Sequence, residues 1–373
     1  MAYTNIDDPS AHFQTATYAG DSSNSTVISN DGNSDLQPDF VWIKNRTSTG
    51  GNVSNNMLFN SSVGIGTGAN SPYLMTDSTA AETTNANALQ AVSSNGFTPG
   101  SMTRTNETGK NFVAWQWKCN GGTTSTNTDG DINSTVQVNQ DAGFSIVTYQ
   151  PSNTTSRNIG HGLGTKPGFI IIRNRTRIEN WRVWNHRIGT GGAILDNTSA
   201  YNTGTSNIVN TVNNTTFNVG GDFSVNGGYP IVAWCFAEKK GFSSFGTYLG
   251  NLNADGPFVF TGFKPAWIMV KRAVGGTSTY SGWSIHDSKR YSFNNNQGGN
   301  YLLWAHDTHA EGTRGQGGSN NNGATGNIDI LSNGFKIRDN GSDEFNDPDD
   351  QYMYFAFAEN PFVTSTGVPT TAR

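Results

Sequence analysis

The chain has 373 residues and 40.0 kDa, is rich in glycine (45) and asparagine (46), and carries only 14% charged residues with a net charge of −5. Asn and Gly favour turns and weaken helix interiors, so long helices are not expected, and the absence of a basic tract argues against nucleic-acid binding. No apolar run approaches the roughly 20 residues of a spanning helix, which excludes membrane insertion by helices, while nine Trp and 21 Phe supply the area for real cores.

Residues 1–10 are polar and acidic and lack the apolar stretch of a secretory signal. The first strand pattern is FQTATYAG at 13–20, followed by PDFVWIKNR at 38–46 and NFVAWQWK at 111–118. The three patterns return in the same order as FSIVTYQ (144–150), PGFIIIRNR (167–175) and PIVAWCFAE (230–238). They return again as FSSFGTYLG (242–250), PAWIMVKRA (265–273) and YMYFAFAEN (352–360), and the SNGF around Phe97 recurs around Phe335. Three matched patterns in fixed order predict three tandem copies of one unit of roughly 110 to 125 residues.

Each copy reads as antiparallel β, because its apolar runs are short, rich in Val, Ile, Phe and Trp, and bounded by Gly, Asn or Pro. The stretch at 144–149 mixes polar and apolar residues like a half-buried strand, whereas 231–237 is apolar throughout and suits a strand covered on both faces. Pro38, Pro167 and Pro265 stand just before strands, where a missing N–H costs least. The expected fold is all-β, with three tandem β-sandwich repeat domains of jelly-roll or lectin-like type. Their expected bounds are 1–119, 143–238 and 239–373, with a Gly/Thr/Asn-rich linker at 120–142. The second and third copies join almost directly at 238–241, as a rigid pair. The Asn/Gly-rich insertions 291–299 and 314–326 read as exposed loop tips.

Chemistry has few footholds. Cys119 and Cys235 read as reduced, buried thiols. His306 and His309 could share a metal, but their segment aligns with turn formers at 77–80 and 197–200, and a turn is the expectation. Oxygen-bearing residues at 127–133 and the acidic group Asp339, Asp343, Glu344, Asp347, Asp349 and Asp350 lack calcium-loop spacing and read as solvated loops. Glu238 and Glu359 occupy the same place in two copies, with Lys118 there in the first, but neither has a partner acid. The glycine-rich 64–68 and 160–164 do not open helices, and no serine sits in a nucleophile elbow. No catalytic residue, metal or cofactor is therefore assigned.

Aromatic residues beside polar ones are the remaining lead. Alternation turns Trp181 and Trp283 inward with Val183 and Ile285, and leaves Trp184 and His286 outward. Trp184, His186, His286 and Asp287 are the candidate contact residues, for a glycan or a subunit. The basic strand ends Lys44/Arg46, Arg173/Arg175 and Lys271/Arg272 read either as contacts to an anionic glycan or as solvated ends.

The segments IDDPSAHFQTATYAG, PDFVWIKNR, TDGDINSTVQVNQDAGFSIVTY and GHGLGTKPGFIIIRNR, with the closing GPFVFTGFKPAWIMVKR and YMYFAFAENPF, span nearly the whole chain. Together the chain resembles repeat proteins that are tail-fibre-like or otherwise on the virion surface of tailed bacteriophages, many of them marine. The resemblance implies a β-rich, homo-oligomeric virion component on the particle surface, in contact with other virion proteins, and it supplies no catalytic residues. The expected function is non-enzymatic attachment to host surface glycans through shallow, oligomer-multiplied contacts. A capsid decoration or head-fibre role and a tailspike-like glycan-degrading enzyme are the alternatives. Only about a dozen residues precede the first repeat pattern, with no anchoring domain or shaft among them, which favours a compact knob or a decoration.

Overall fold

Strand-forming runs of Val, Ile, Phe and Trp punctuated by Asn and Gly dictate an all-β fold, 46% strand and 3% helix among the described residues. A computed structural model describes residues 4–47, 54–65, 70–152, 155–275, 281–290, 302–311, 328–338 and 345–370. The expected loop tips at 291–299 and 314–326, and Asp339, Asp343 and Glu344, lie outside the described residues.

Three inner sheets carry the strand patterns. The first runs Phe13–Ala19, Asn111–Trp117, Phe40–Asn45, Met57–Asn60, Ser71–Met75 and Thr83–Asn85. The second places Phe144–Tyr149, Ile231–Phe236, Phe169–Asn174 and Arg182–Asn185 in the corresponding order, and the third places Ser243–Leu249, Gln351–Pro361, Phe263–Val274 and Trp283–Asp287. The registers match: Trp117 lies between Phe13 and Phe40, Phe236 between Phe144 and Phe169, and Phe357 between Ser243 and Trp267.

A smaller outer sheet covers one face of each inner sheet. In the first it is Ile28–Ser29, Gly96–Pro99 and Leu89–Ser93; in the third it is Phe258–Phe260, Gly334–Ile337 and Ile328–Leu331. The second outer set, Arg157–Gly160, Thr216–Val219 and Val209–Val212, is continuous with its inner sheet through Gly191 opposite Val209. The SNGF turns explain themselves here. A Cβ on Gly96 would sit 2.0 Å from the Ile28 carbonyl oxygen, and one on Gly334 would sit 2.0 Å from that of Val259. Only glycine lets each hairpin turn lie against its edge strand.

Period-two alternation explains why the inner strands are apolar on both faces. Val41, Ile43, Phe112 and Ala114 pack under the first outer sheet, while Phe40, Trp42, Trp115 and Trp117 face the other way. That second face meets its counterparts from the other two sheets in one shared cluster. Phe13 stacks on Phe357 with ring centroids 5.5 Å apart, Phe40 meets Trp234 at 5.4 Å, Trp117 meets Trp267 edge-on at 5.7 Å, and Phe236 meets Phe357 at 5.6 Å. Aromatic pairs of this kind contribute about 0.5–1.5 kcal/mol each beyond area burial.

The shared cluster ties the three units together. Each unit is a two-layer sheet pair, and the first and second keep cores of their own beneath their outer sheets, but the three units are not independent, because the inner face of each sheet is covered by the other two. The segment 120–142, expected to be an ordered linker with a strand-like piece at 134–138, holds two strands: Ser125–Asn127 and Ser134–Asn139 extend the second inner sheet, with Ser134 opposite Tyr149. The strand at 144–149, read as half-buried, is covered on both sides, down to Ser145 at 0% exposure.

Candidate functional site

The residues with the most chemistry at them line the seams between sheets. Continuing the alternation past Phe40 and Trp42 puts Lys44 on the inner face, where it is fully buried. Its Nζ donates to the carbonyls of Ser54 (2.9 Å) and of Asp307 from the third sheet's 305–308 loop (2.8 Å). Arg173, at the same position of the second sheet, donates to the Thr79 (2.7 Å) and Ala80 carbonyls of the first. Lys271 of the third donates to the Thr198 carbonyl of the second (3.1 Å). Main-chain bonds follow the same path: Glu311 N–H to Arg46 O, Glu82 N–H to Arg175 O and Tyr201 N–H to Ala273 O, at 2.9, 2.7 and 2.9 Å. The grip therefore runs in a ring, from first to third, third to second and second to first.

Burial pulls Lys44 down to about 8, against the opposing charges of Asp77 and Asp307, and pulls Lys271 down to about 7. Either protonation form keeps N–H donors, so the loop carbonyls stay satisfied. Two seams add an ion pair: Arg175 with Glu82 (Nε to Oε2 2.8 Å) and Arg46 with Glu311 (Nε to Oε2 2.9 Å). Of the strand-end basic residues, Lys44, Arg173, Lys271 and Arg272 are thus buried, while Arg46 and Arg175 are half-buried in their ion pairs.

The four predicted contact residues are placed as follows. Trp184 is 3% exposed and packs under the second outer sheet, and His286 is 2% exposed with its ring against Phe345. The outward placement fails because the face opposite Trp181 and Trp283 is covered as well. Asp287 is fully buried in the first–third seam, where Oδ2 accepts Trp115 Nε1 at 3.0 Å and the Arg290 guanidinium. Arg290 in turn holds Glu311 at 2.8 Å. His186 is half-buried; its Nε2 donates to the Phe245 carbonyl at 2.7 Å, while Glu238 Oε1 accepts the Phe245 N–H at 2.8 Å. Together His186 and Glu238 clamp the edge strand of the third sheet. Burial lowers the His186 pKa, with the Phe245 carbonyl and Glu238 opposing. Trp181 and Trp283, both fully buried, donate Nε1 to the Met75 and Ile194 carbonyls of the neighbouring sheet, at 3.0 and 2.7 Å.

His286 shares its register position with Phe59 and Trp184, opposite Ile268, Val41 and Ile170 respectively. Neither ring nitrogen has a partner among the described residues, and burial with nearby Arg290 pushes its pKa down to about 3. His286→Phe removes two buried, unpaired polar atoms and installs the residue already used at Phe59. It is expected to raise stability by about 1–2 kcal/mol in chemical denaturation; a loss of that size would show that the imidazole has a partner.

The histidine pair behaves as a turn. His306 Nδ1 accepts the Trp283 N–H at 3.1 Å, where Asp77 accepts Asn56 N–H (3.2 Å) and Asp196 accepts Trp181 N–H (2.7 Å) in the other sheets. Among the described residues no group of three His, Cys, Asp or Glu could hold a metal. Asp131 accepts the Asn158 N–H at 2.7 Å, and Asp347 pairs with Arg272 at 3.0 Å. Glu359 pairs with Lys264 at 2.7 Å, and the register places Cys119, not Lys118, at the position of Glu238 and Glu359. Cys119 and Cys235 are free and buried, and burial raises both thiol pKa values. A groove of about 320 Å³ between the first and third sheets is lined by Gln14, Asp31, Lys289 and Glu359, with Lys289 paired to Asp31.

Sequence reasoning missed the seam cations. The available signal was a Lys or Arg at an inward alternation position of all three patterns, which an open strand end does not require.

No curated protein and no solved structure matches the chain. A family model matches residues 8–361, covering all three sheet pairs, and the chain belongs to that family, described as a domain of unknown function, DUF7483.

Proposed function

We propose that the chain is a non-enzymatic structural component of the surface of a tailed-bacteriophage virion. The observation that carries this reading is the ring of seams: one chain closes three sheets around a shared aromatic core and turns Asn-, Gly-, Ser- and Thr-rich loops outward. Such a body is a rigid platform for contacts with other particle proteins. The likeness of the segments around 6–20, 160–175 and 256–272 to tail-fibre-like virion repeats supports the particle context and an assembly of several copies. Attachment to host glycans loses the residues chosen for it, since Trp184 and His286 are buried. The structural role therefore leads.

Immunogold electron microscopy of intact virions, with an antibody against this chain, tests the reading. Label on the particle is expected, on the tail for a fibre or tip protein and over the head for a decoration. Purified virions without the chain would overturn it.

A further inference from the structure

The outer sheet of the second sheet pair does not end at its edge strand Arg157–Gly160. Residues 131–134 run beside that strand. Asp131 N–H donates to the Asn158 carbonyl (2.8 Å), Asn158 N–H donates to Asp131 Oδ2 (2.7 Å) and Ser134 Oγ donates to the Gly160 carbonyl (2.7 Å). Ile132 bridges Ile159 in parallel.

The third sheet pair has the same edge without the cover. Ile159 lies opposite Phe217 and Val259 opposite Phe335, so Asn158 and Gly160 correspond to Phe258 and Phe260. Ile337 N–H bonds Pro257 O and Thr261 N–H bonds Asn333 O, both at 3.0 Å. That alternation turns the Val259 peptide groups toward the sheet and those of Phe258 and Phe260 away from it. Among the described residues nothing pairs with this outer edge. The side chains depart from the pattern too: Phe258 is 46% and Phe260 61% exposed, where the second sheet pair has Asn158 and Gly160. The chain between Ile231–Phe236 and Ser243–Leu249 is too short to supply a covering segment, whereas 120–142 supplies one to the second sheet pair.

An unpaired edge strand flanked by apolar side chains is a template for another strand. We propose that the Phe258–Phe260 edge receives an extended segment of another protein, in parallel, carrying an Asp followed by a β-branched residue as in Asp131–Ile132. The carboxylate takes the Phe258 N–H, the β-branched side chain extends the row that Val259 begins, and the two phenylalanine rings shield the added backbone from water.

The chain supplies its own probe. A fluorescent peptide of residues 127–136, titrated against the full-length protein, is expected to bind saturably. Binding is expected to weaken about tenfold when Asp131 of the peptide becomes Leu, because a charge-assisted hydrogen bond is lost. At least as large a loss is expected with Phe258→Pro in the protein, which removes the outward N–H together with one of the two shielding rings and leaves the ladder intact. Hydrogen exchange gives a second readout: the Phe258 and Phe260 amides are expected to exchange fast in the free protein and slowly with peptide bound. No saturation at millimolar peptide, or equal binding by the Phe258→Pro protein, overturns the proposal. So do Phe258 and Phe260 amides as protected as Val259 in the free protein, since the edge would then already be filled by this chain or a second copy.

Discussion

Phe357→Ala is expected to lower stability by about 3–5 kcal/mol, and to lower it for all three sheets together. The Phe357 ring lies 5.5 Å from Phe13 and 5.6 Å from Trp117 of the first sheet, 5.6 Å from Phe236 of the second, and 5.7 Å from Phe245 and 5.9 Å from Trp267 of the third. Truncating it opens a cavity where all three inner faces meet, and none can close it without pulling away from the others. Calorimetry with hydrogen exchange should show one transition shifted as a whole, with Asn111–Trp117 and Ile231–Phe236 losing protection alongside Gln351–Pro361. Three transitions, with only that of the third sheet shifted, would restore the picture of independent sandwiches.

That picture is what strand patterns alone convey. The repeated FVWIKN, FIIIRN and WIMVKR runs gave the all-β class and the key strands, because period and composition are local signals. What covers each face is not local. The all-apolar 231–237 pointed to a strand covered twice, yet nothing in the run said that the second cover is another copy of the same sheet. Trp184 and His286 went wrong for this reason: alternation assigned them correctly to the face opposite Trp181 and Trp283, and that face lies under an outer sheet. Lys44, Arg173 and Lys271 were legible in principle, since the same alternation buries them with Trp42, Ile171 and Met269. Charge at a strand end suggested water instead, and the carbonyls they cap belong to loops distant in sequence. The turn at His306 was legible by alignment with Asp77, because one acceptor at one place suffices to hold a turn.

Three buried histidines make the fold acid-sensitive. His161 accepts the Leu163 N–H on Nδ1 and donates from Nε2 to the Asn213 carbonyl, a neutral tautomer with both nitrogens satisfied. Burial lowers its pKa to about 4, lowers that of His286 to about 3, and lowers that of His306 to about 4 despite the opposing charge of Asp307. Each folded pKa lies below the unfolded value near 6.5, so the unfolded chain binds more protons as pH falls. The stability contributed by the neutral rings is complete above pH 6.5 and is lost on descent toward pH 4. At about 1.4 kcal/mol per pKa unit the loss at pH 4.5 comes to about 2.5 kcal/mol for each ring. Burial raises the pKa of Asp77 and Asp196, and protonation there offsets part of that loss. A net loss of several kcal/mol between pH 7.5 and 4.5 is therefore expected in urea midpoints, a large share of the stability of an ordinary domain. His306→Asp, which installs the acceptor used at Asp77 and Asp196, should retain about 2 kcal/mol more than the parent at pH 4.5 and differ little at pH 7.5. A midpoint that stays flat from pH 7.5 to 4.5, in parent and variant alike, would mean that these imidazoles reach water in the folded chain.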